Sequence, residues 1–367
     1  MHRAAVLTGV GQPLEIRDDV EAEAPHAGEV KIRVAASGVC HSDLSMQNGT
    51  LLTPTPVVLG HEGAGEVVEV GEGVTDLSPG DHVVVSWVPQ CGQCFFCRRG
   101  QPALCELGMA AMTGSLPDGG TRLTSAGSPL FQMAGAGMFS EYAVIPAIAA
   151  VKIDPDVDLR VAALIGCGVL TGVGAALNTA TITEGDTVAV IGCGGVGLNV
   201  IMGARVAGAA EIIAVDTTPK KLEMAQSFGA TQTVDASAVD PVSGVMALTA
   251  QRGADVTFEV VGLGPTIDAA ITMARRGGQV ILVGVPPLDV TVALPAFFGI
   301  VLAAKTIKGC WYGSSDVQRD VPRLVDLWRN GHLQLEALIS REIALEGVED
   351  AFKAMGTGEV ARSVVVY

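Results

Sequence analysis

The sequence predicts an α/β protein in which a doubly wound parallel sheet accompanies a β-rich part. Three observations carry this. Up to about residue 168, short alternating or apolar runs are separated by Gly, Pro and Asp turns. From about 169, apolar runs at 188–191, 212–215, 256–261 and 280–283 alternate with helical segments, the rhythm of βαβ units. Between the first two of those runs stand three glycines, Gly192, Gly194 and Gly197, spaced as in a dinucleotide-binding turn.

In the first part the strand candidates are Lys31–Val34, Val57–Leu59, Glu66–Val70, His82–Val85 and Tyr142–Ile145. Residues 108–137, rich in Gly, Ser, Thr, Ala and Met and without periodicity, read as a long surface loop. In the second part Pro219 opens a helix that carries Leu222, Ala225 and Phe228 on one face and stops at Gly229. Thr306–Cys310 fits a last strand of that sheet. Residues 312–367 return to mixed character, with a helix over Val321–Arg329 and a closing strand over Ser363–Tyr367. The expected division is 1–168, 169–311 and 312–367.

The stretch Thr187 to Asp216 holds the strongest functional signal. Gly192 permits a sharp turn, Gly194 lets the backbone approach a pyrophosphate, and Gly197 lets the helix pack close to the strand. The helix N-terminus offers free N–H groups to the phosphates. Asp216 follows Gly192 by 24 residues, where an acid accepts hydrogen bonds from the adenosine ribose and repels a 2′-phosphate. The expected cofactor is therefore NAD(H) rather than NADP(H).

A net charge of −16 argues against nucleic-acid and anionic-membrane partners. No uncharged apolar run is long enough to make a convincing membrane span, and the first residues carry no signal-peptide pattern. Of eight cysteines, four crowd into 91–105. In a chain of this kind such a cluster points to metal ligands and a reducing, cytoplasmic setting.

Cys91, Cys94, Cys97 and Cys105 form C-x2-C-x2-C-x7-C. Four thiolates close a tetrahedral site with no position left for water, which suits a structural zinc. Iron–sulfur clusters use similar spacings; a separate zinc-like set elsewhere tips the choice. That set is dispersed: Cys40 in GVCHSDL, His61 and Glu62 in GHEGAG, and Cys167 in IGCGVLTG. Taken singly, each is more often a packing or turn residue. Together, two cysteines and a histidine with an open position make a catalytic zinc set.

With CHSD, GHEGAGEVVEVG, the four-cysteine lobe, GCGVLTG and GCGGVG in view, the chain resembles the zinc-dependent alcohol dehydrogenases of the medium-chain dehydrogenase/reductase superfamily. It is most similar to the long-loop branch that includes thiol-dependent formaldehyde dehydrogenases. The resemblance implies a GroES-like catalytic domain, split in sequence around a Rossmann domain. It implies two zincs per subunit and homodimers or homotetramers, often with the last Rossmann strand at the subunit contact. It makes Cys40, His61 and Cys167 the catalytic zinc ligands, and Glu62 the carboxylate that can approach the metal. Asp43 becomes the acid that orients His61, and Ser42 the hydroxyl that bonds the substrate alcohol. His41 and Arg362 fall at pyrophosphate contacts and Lys221 at a ribose contact. Thr171, Val196 and Val285 fall among the cofactor contacts, while Trp87 and Trp311 fall at substrate-pocket positions. One departure is Ser45, which stands where many members carry a relay histidine.

These implications make the chain an enzyme that moves hydride between a primary alcohol or aldehyde and NAD(H). The rival within enzymes is a dehydrogenase of a thiol–formaldehyde adduct. The rival from another class is a non-catalytic binding protein on the same scaffold, and the complete ligand set speaks against it.

Overall fold

The computed structural model describes residues 1–357 and 361–367, and the backbone alone at 110, 111, 356 and 357. The chain forms two compact units. One comprises Met1–Gly168, Asp316–Gly331 and Leu335–Tyr367; the other comprises Val169–Ser315 and His332–Gln334.

In the first unit, His2–Leu7, Glu15–Ala22, Leu123–Ser125, Ser128–Gln132 and Val57–Val58 close, in that order, into a small barrel. Ala4, Val6, Val20, Val58, Leu123 and Leu130 fill it. The stretch 108–137 is therefore not a surface loop: it supplies two barrel strands. Leu123 pairs with Leu130 and Ser125 with Ser128. Between them Ala126 and Gly127 both have positive φ, 49° and 74°. Two such residues make the turn whose twist matches a hairpin, and the usual Asn or Asp before the glycine is missing, which hid it.

The second sheet of this unit runs Ala150–Ile153, His82–Val85, Glu62–Val70, Glu29–Val39, Arg362–Val366 and Ile339–Ile343, with Tyr142–Pro146 also paired to Glu29–Val39. Its centre matters most for the site. Glu29–Val39 extends beyond the apolar run that marks it in sequence, through Ala35, Ala36, Ser37 and Gly38. Small residues have weak strand preference, but pairing on both flanks overrides it. Gly38 lies opposite Glu62 on one side and opposite Val364 on the other. One sheet end thus gathers Cys40, His61, Glu62 and Arg362.

The helix placed at Val321–Arg329 in fact spans Val317–Arg329, with Pro322 inside it. Proline reads as a helix start, yet Asp316 already takes the Asp320 N–H at 2.7 Å and turns the chain earlier. The helical run Leu159–Thr179 is long and apolar enough to cross a membrane by length and composition. In the fold 83% of its most apolar window is buried, as in a core helix.

The second unit is a six-stranded parallel sheet: β1 (Thr187–Ile191), β2 (Glu211–Asp216), β3 (Gln232–Asp235), β4 (Ala254–Glu259), β5 (Ala274–Leu282) and β6 (Thr306–Gly309). Their spatial order is 3-2-1-4-5-6. Helix α1 (Gly195–Val206) follows β1, and α2 (Pro219–Ser227) follows β2. Ile191 pairs with Val215 on one side and with Glu259 on the other. The order reverses between β1 and β4, so the crevice at the carboxyl ends of these strands is where such a sheet takes a ligand.

In the first unit a buried Arg122 makes a two-pronged pair with Glu29 (3.0 and 2.7 Å) and also reaches Asp118 at 2.5 Å. Removing one member of a buried pair leaves the other charge uncompensated. Arg122→Met should lower stability by about 3 kcal/mol, read as a drop in the urea midpoint of this unit. An unchanged midpoint would contradict the role given to this pair.

Candidate metal and cofactor sites

Cys40 caps the helix His41–Gln47, and Asp43 is that helix's third residue. An acid there can reach back to the capping N–H, half of a capping box. Asp43 Oδ2 accepts the Cys40 N–H at 2.8 Å. Its Oδ1 accepts the Gly60 N–H at 3.1 Å and faces His61 Nδ1 at 3.1 Å. Asp43 is fully buried, and it fixes the imidazole so that Nε2 is left for a metal. Cys167 arrives from the helical segment Ile165–Val169. One ligand atom each from Cys40, His61, Glu62 and Cys167 lies within 4.8 Å of the others, and all four residues are buried.

The electrostatics fit a cation. Burial opposes a charged His61, but Asp43 and the Cys40 thiol outweigh it and raise the imidazole well above its usual range. The Cys167 thiol donates toward Cys40 and holds that thiol low. The same bond, with burial, pushes Cys167 up. Burial drives Glu62 up to about 7 against the pull of Arg362. Arg362 donates to Glu62 Oε1 at 2.5 Å and to the Val39 carbonyl at 3.2 Å. Glu62 Oε2 is buried without a hydrogen-bond partner. Two thiols, an imidazole and an oxygen short of a partner form a donor set that suits zinc.

Beside these ligands, Ser42 Oγ stands 3.8 Å from Cys40 Sγ. The Trp87 ring meets the His61 ring edge to face at 6.4 Å. Trp87, Leu44 and Leu51 are partly buried against the same apolar cluster. His41 is exposed, and Ser45 is half-buried.

The second cysteine group is equally close. The sulfurs of Cys91, Cys94, Cys97 and Cys105 all lie within 4.8 Å of one another, near the roughly 3.8 Å edge of a tetrahedron with zinc–sulfur bonds. Backbone N–H groups of Cys97 and Glu106 lower the Cys94 thiol to about 6, while burial pushes Cys97 up to about 12. A third group, His26, Glu29 and Asp118, is filled by the Arg122 guanidinium.

In the second unit the glycine turn is formed. Gly192 has φ 96°, a left-handed value that favours glycine. A side chain at Gly197 would run into the Gly192 carbonyl, so the helix can sit this close only with glycine there. Gly194 caps α1. Asp216 Oδ2 accepts the Cys193 N–H at 2.8 Å and Oδ1 the Thr218 N–H at 3.0 Å. The acid thus pins the glycine turn to the end of β2. Val196, Thr171 and Lys221 are half-buried, while Val285 and Trp311 are 53% and 37% exposed.

Sequence reasoning placed Glu62 and Arg362 separately, one by the metal and one at a pyrophosphate. The structure joins them, because the strands carrying them flank the same central strand. Their separation of 300 residues left no local signal.

Comparison with known proteins gives the family of the two domains. Residues 26–155 match the alcohol dehydrogenase GroES-like domain and residues 195–330 the zinc-binding dehydrogenase domain. The S-(hydroxymethyl)glutathione dehydrogenase of Escherichia coli is 40% identical over 369 residues, covering 100% of this chain and 99% of the relative. Among solved structures, benzyl alcohol dehydrogenase from Acinetobacter calcoaceticus superposes with a TM-score of 0.94 at 30% identity, covering 100% of this chain and 99% of that one. A zinc-binding dehydrogenase from Sinorhizobium meliloti, bound to NADP, superposes with 0.82 at 28% identity, over 100% and 99%.

If Asp43 fixes His61 as its distances indicate, Asp43→Asn should weaken zinc at the dispersed site by about 10- to 100-fold, leaving the four-cysteine site loaded. Chelator competition with metal analysis reads this. Equal retention at both sites would count against it.

Proposed function

The chain belongs to the zinc-dependent alcohol dehydrogenases of the medium-chain dehydrogenase/reductase superfamily, and from that premise we propose that it oxidises a neutral primary alcohol, aliphatic or aromatic, with NAD as hydride acceptor. The observation that carries this is the convergence of Cys40, His61 and Cys167 in one buried cluster. A zinc ion there supplies a Lewis acid that eases loss of the alcohol proton, and NAD supplies the hydride acceptor. A second zinc in the four-cysteine lobe is structural.

The chain's own residues have distinct tasks. Ser42 Oγ, next to Cys40, takes the hydroxyl proton and hands it on; with Ser45 in place of an imidazole, water is the onward acceptor. Asp43 holds His61 in register. Glu62 and Arg362 neutralise each other beside the ligands. Trp87, Leu44 and Leu51 offer an apolar wall to the substrate's carbon chain or ring. Asp216, on the adenosine side, presents a carboxylate where NADP would bring a 2′-phosphate, which supports NAD although the Sinorhizobium neighbour is described with NADP. His41 and Lys221 are assigned to the phosphates and ribose, Arg362 being held by Glu62, and Thr171, Val196 and Val285 to the nicotinamide side, with Trp311 at the outer substrate pocket. Exposed Phe297, Phe298, Val301 and Leu302, just before β6, support a homodimer or homotetramer. A monomer by light scattering would remove that part.

The name of the Escherichia coli relatives favours a second reading, action on a glutathione adduct of formaldehyde. Against it stands the charge pattern. Residues 34–97, which include the site helix and Trp87, contain no lysine or arginine; the next two residues, Arg98 and Arg99, lie on the four-cysteine lobe. Arg362, the cation beside the ligands, is paired with Glu62. A tripeptide carrying two carboxylates would find little there to offset its desolvation.

A panel of ethanol, hexanol, benzyl alcohol and formaldehyde with glutathione, run with NAD, decides between the two. The expected result is turnover of hexanol or benzyl alcohol with kcat/KM at least about tenfold above the adduct. The reverse ranking would establish the second reading. In the same assay Cys167→Ala should abolish turnover and lose the zinc of the dispersed site while NADH still binds. Wild-type turnover in a variant lacking that zinc would overturn the zinc-dependent reading altogether.

A further inference from the structure

Glu259, the last residue of β4, is fully buried. Its Oε1 accepts three hydrogen bonds: from the N–H groups of Val261 and Gly262, each at 2.8 Å, and from Thr266 Oγ1 at 2.7 Å. Its main-chain carbonyl accepts the N–H groups of Val283 at 2.8 Å and Gly284 at 3.0 Å. One residue therefore holds both turns that follow β4 and β5. Its Oε2 is buried with no hydrogen-bond partner. A Cβ at Gly284 would come 2.7 Å from that oxygen and 2.8 Å from the Gly262 Cα, so the two turns touch backbone to backbone. The first of them also abuts the glycine turn: Val260 N–H donates to the Ile191 carbonyl at 3.0 Å, and Val261 Cγ2 would lie 2.6 Å from a Cβ at Gly192.

A buried carboxylate with a bare oxygen is costly, and a short turn can be closed with neutral side chains. What the carboxylate adds is a single anionic point that gathers three donors through strong, short bonds and stiffens the turn. The crevice between β1 and β4 takes the two halves of a dinucleotide on opposite sides. The glycine turn and Asp216 account for the pyrophosphate and the adenosine ribose, which leaves the β4–β5 side for the nicotinamide half. The exposed side chains on those two turns, Val261, Leu263 and Val285, are apolar. A carboxamide must then find its polar partners in the backbone, at places set by Glu259.

We propose that Glu259 is a positioning residue for the nicotinamide half of the nucleotide, acting through the turns 260–263 and 283–285. This rests on the NAD reading above. The test uses the purified zinc-loaded protein and two probes, NADH by fluorescence titration and ADP-ribose, which lacks the nicotinamide, by calorimetry. Glu259→Gln should weaken NADH by about tenfold, because its neutral amide oxygen is a weaker acceptor for the three donors and its NH2 group replaces the buried, partnerless Oε2, and should leave ADP-ribose within about twofold. Thr266→Val, which removes one donor and keeps the carboxylate, should weaken NADH alone by about threefold; it decides the matter if Glu259→Gln does not fold. Parallel loss of both probes would make Glu259 a general stabiliser of the unit and overturn the proposal, as would unchanged NADH affinity in both variants. A wild-type protein that bound neither probe would take down the NAD reading and this inference with it, a result distinct from a failure of Glu259 alone.

Discussion

The Asp43 carboxylate is the interaction on which the site depends. It is fully buried, and both of its oxygens are used: one on the Cys40 N–H, the other shared by the Gly60 N–H and His61. A buried acid is tolerable only when its lone pairs are met. Here the groups that meet them belong to the two segments that deliver metal ligands. The same bonds that satisfy the acid therefore set the distance between Cys40 and His61. Without it, a strand end and a separate turn would have to find the same few ångströms by packing alone.

Around this point the charges are arranged in compensating sets. Cys40 and Cys167 would supply two thiolates to a divalent ion held there, and Arg362 balances Glu62 at 2.5 Å. The carboxylate of Asp43 then faces the imidazole of a metal ligand, where a positive field is strongest. This explains why so many ionisable groups can be buried in one end of a sheet. The cofactor unit shows a related device in Asp216 and Glu259. Each sits at the carboxyl end of a strand and anchors the N–H groups of a turn that would otherwise be free to move.

Much of this was legible in the residues, for reasons that are local. Glycines at 192, 194 and 197 encode a turn because only backbone conformation and close approach are at stake. Four cysteines in fifteen positions encode a metal lobe because the ligands are adjacent in the chain. Asp43 entered through the family resemblance, and only the structure shows it reaching back to the Cys40 N–H at the helix start. The barrel hairpin at 123–132 escaped notice because Ala126 occupies a position where Asn or Asp would have announced the turn, and because its strands are short. The true extent of Glu29–Val39 escaped because its last residues are small and take their strand conformation from neighbours on both sides.

By itself, then, the sequence determined the αβ alternation, the glycine turn with its acid and the four-cysteine lobe, all of which depend on residue type and short spacing; the assignment of the dispersed ligands came from the family resemblance. Only the tertiary structure decided that Cys40, His61, Glu62 and Cys167 meet in one buried cluster, that Arg362 crosses 300 residues to pair with Glu62, and that Glu259 holds two turns at once. Those facts follow from which strands lie side by side and in what register. Register is set by the burial of whole faces and the pairing of whole edges, a sum over the chain that no short stretch of residues contains.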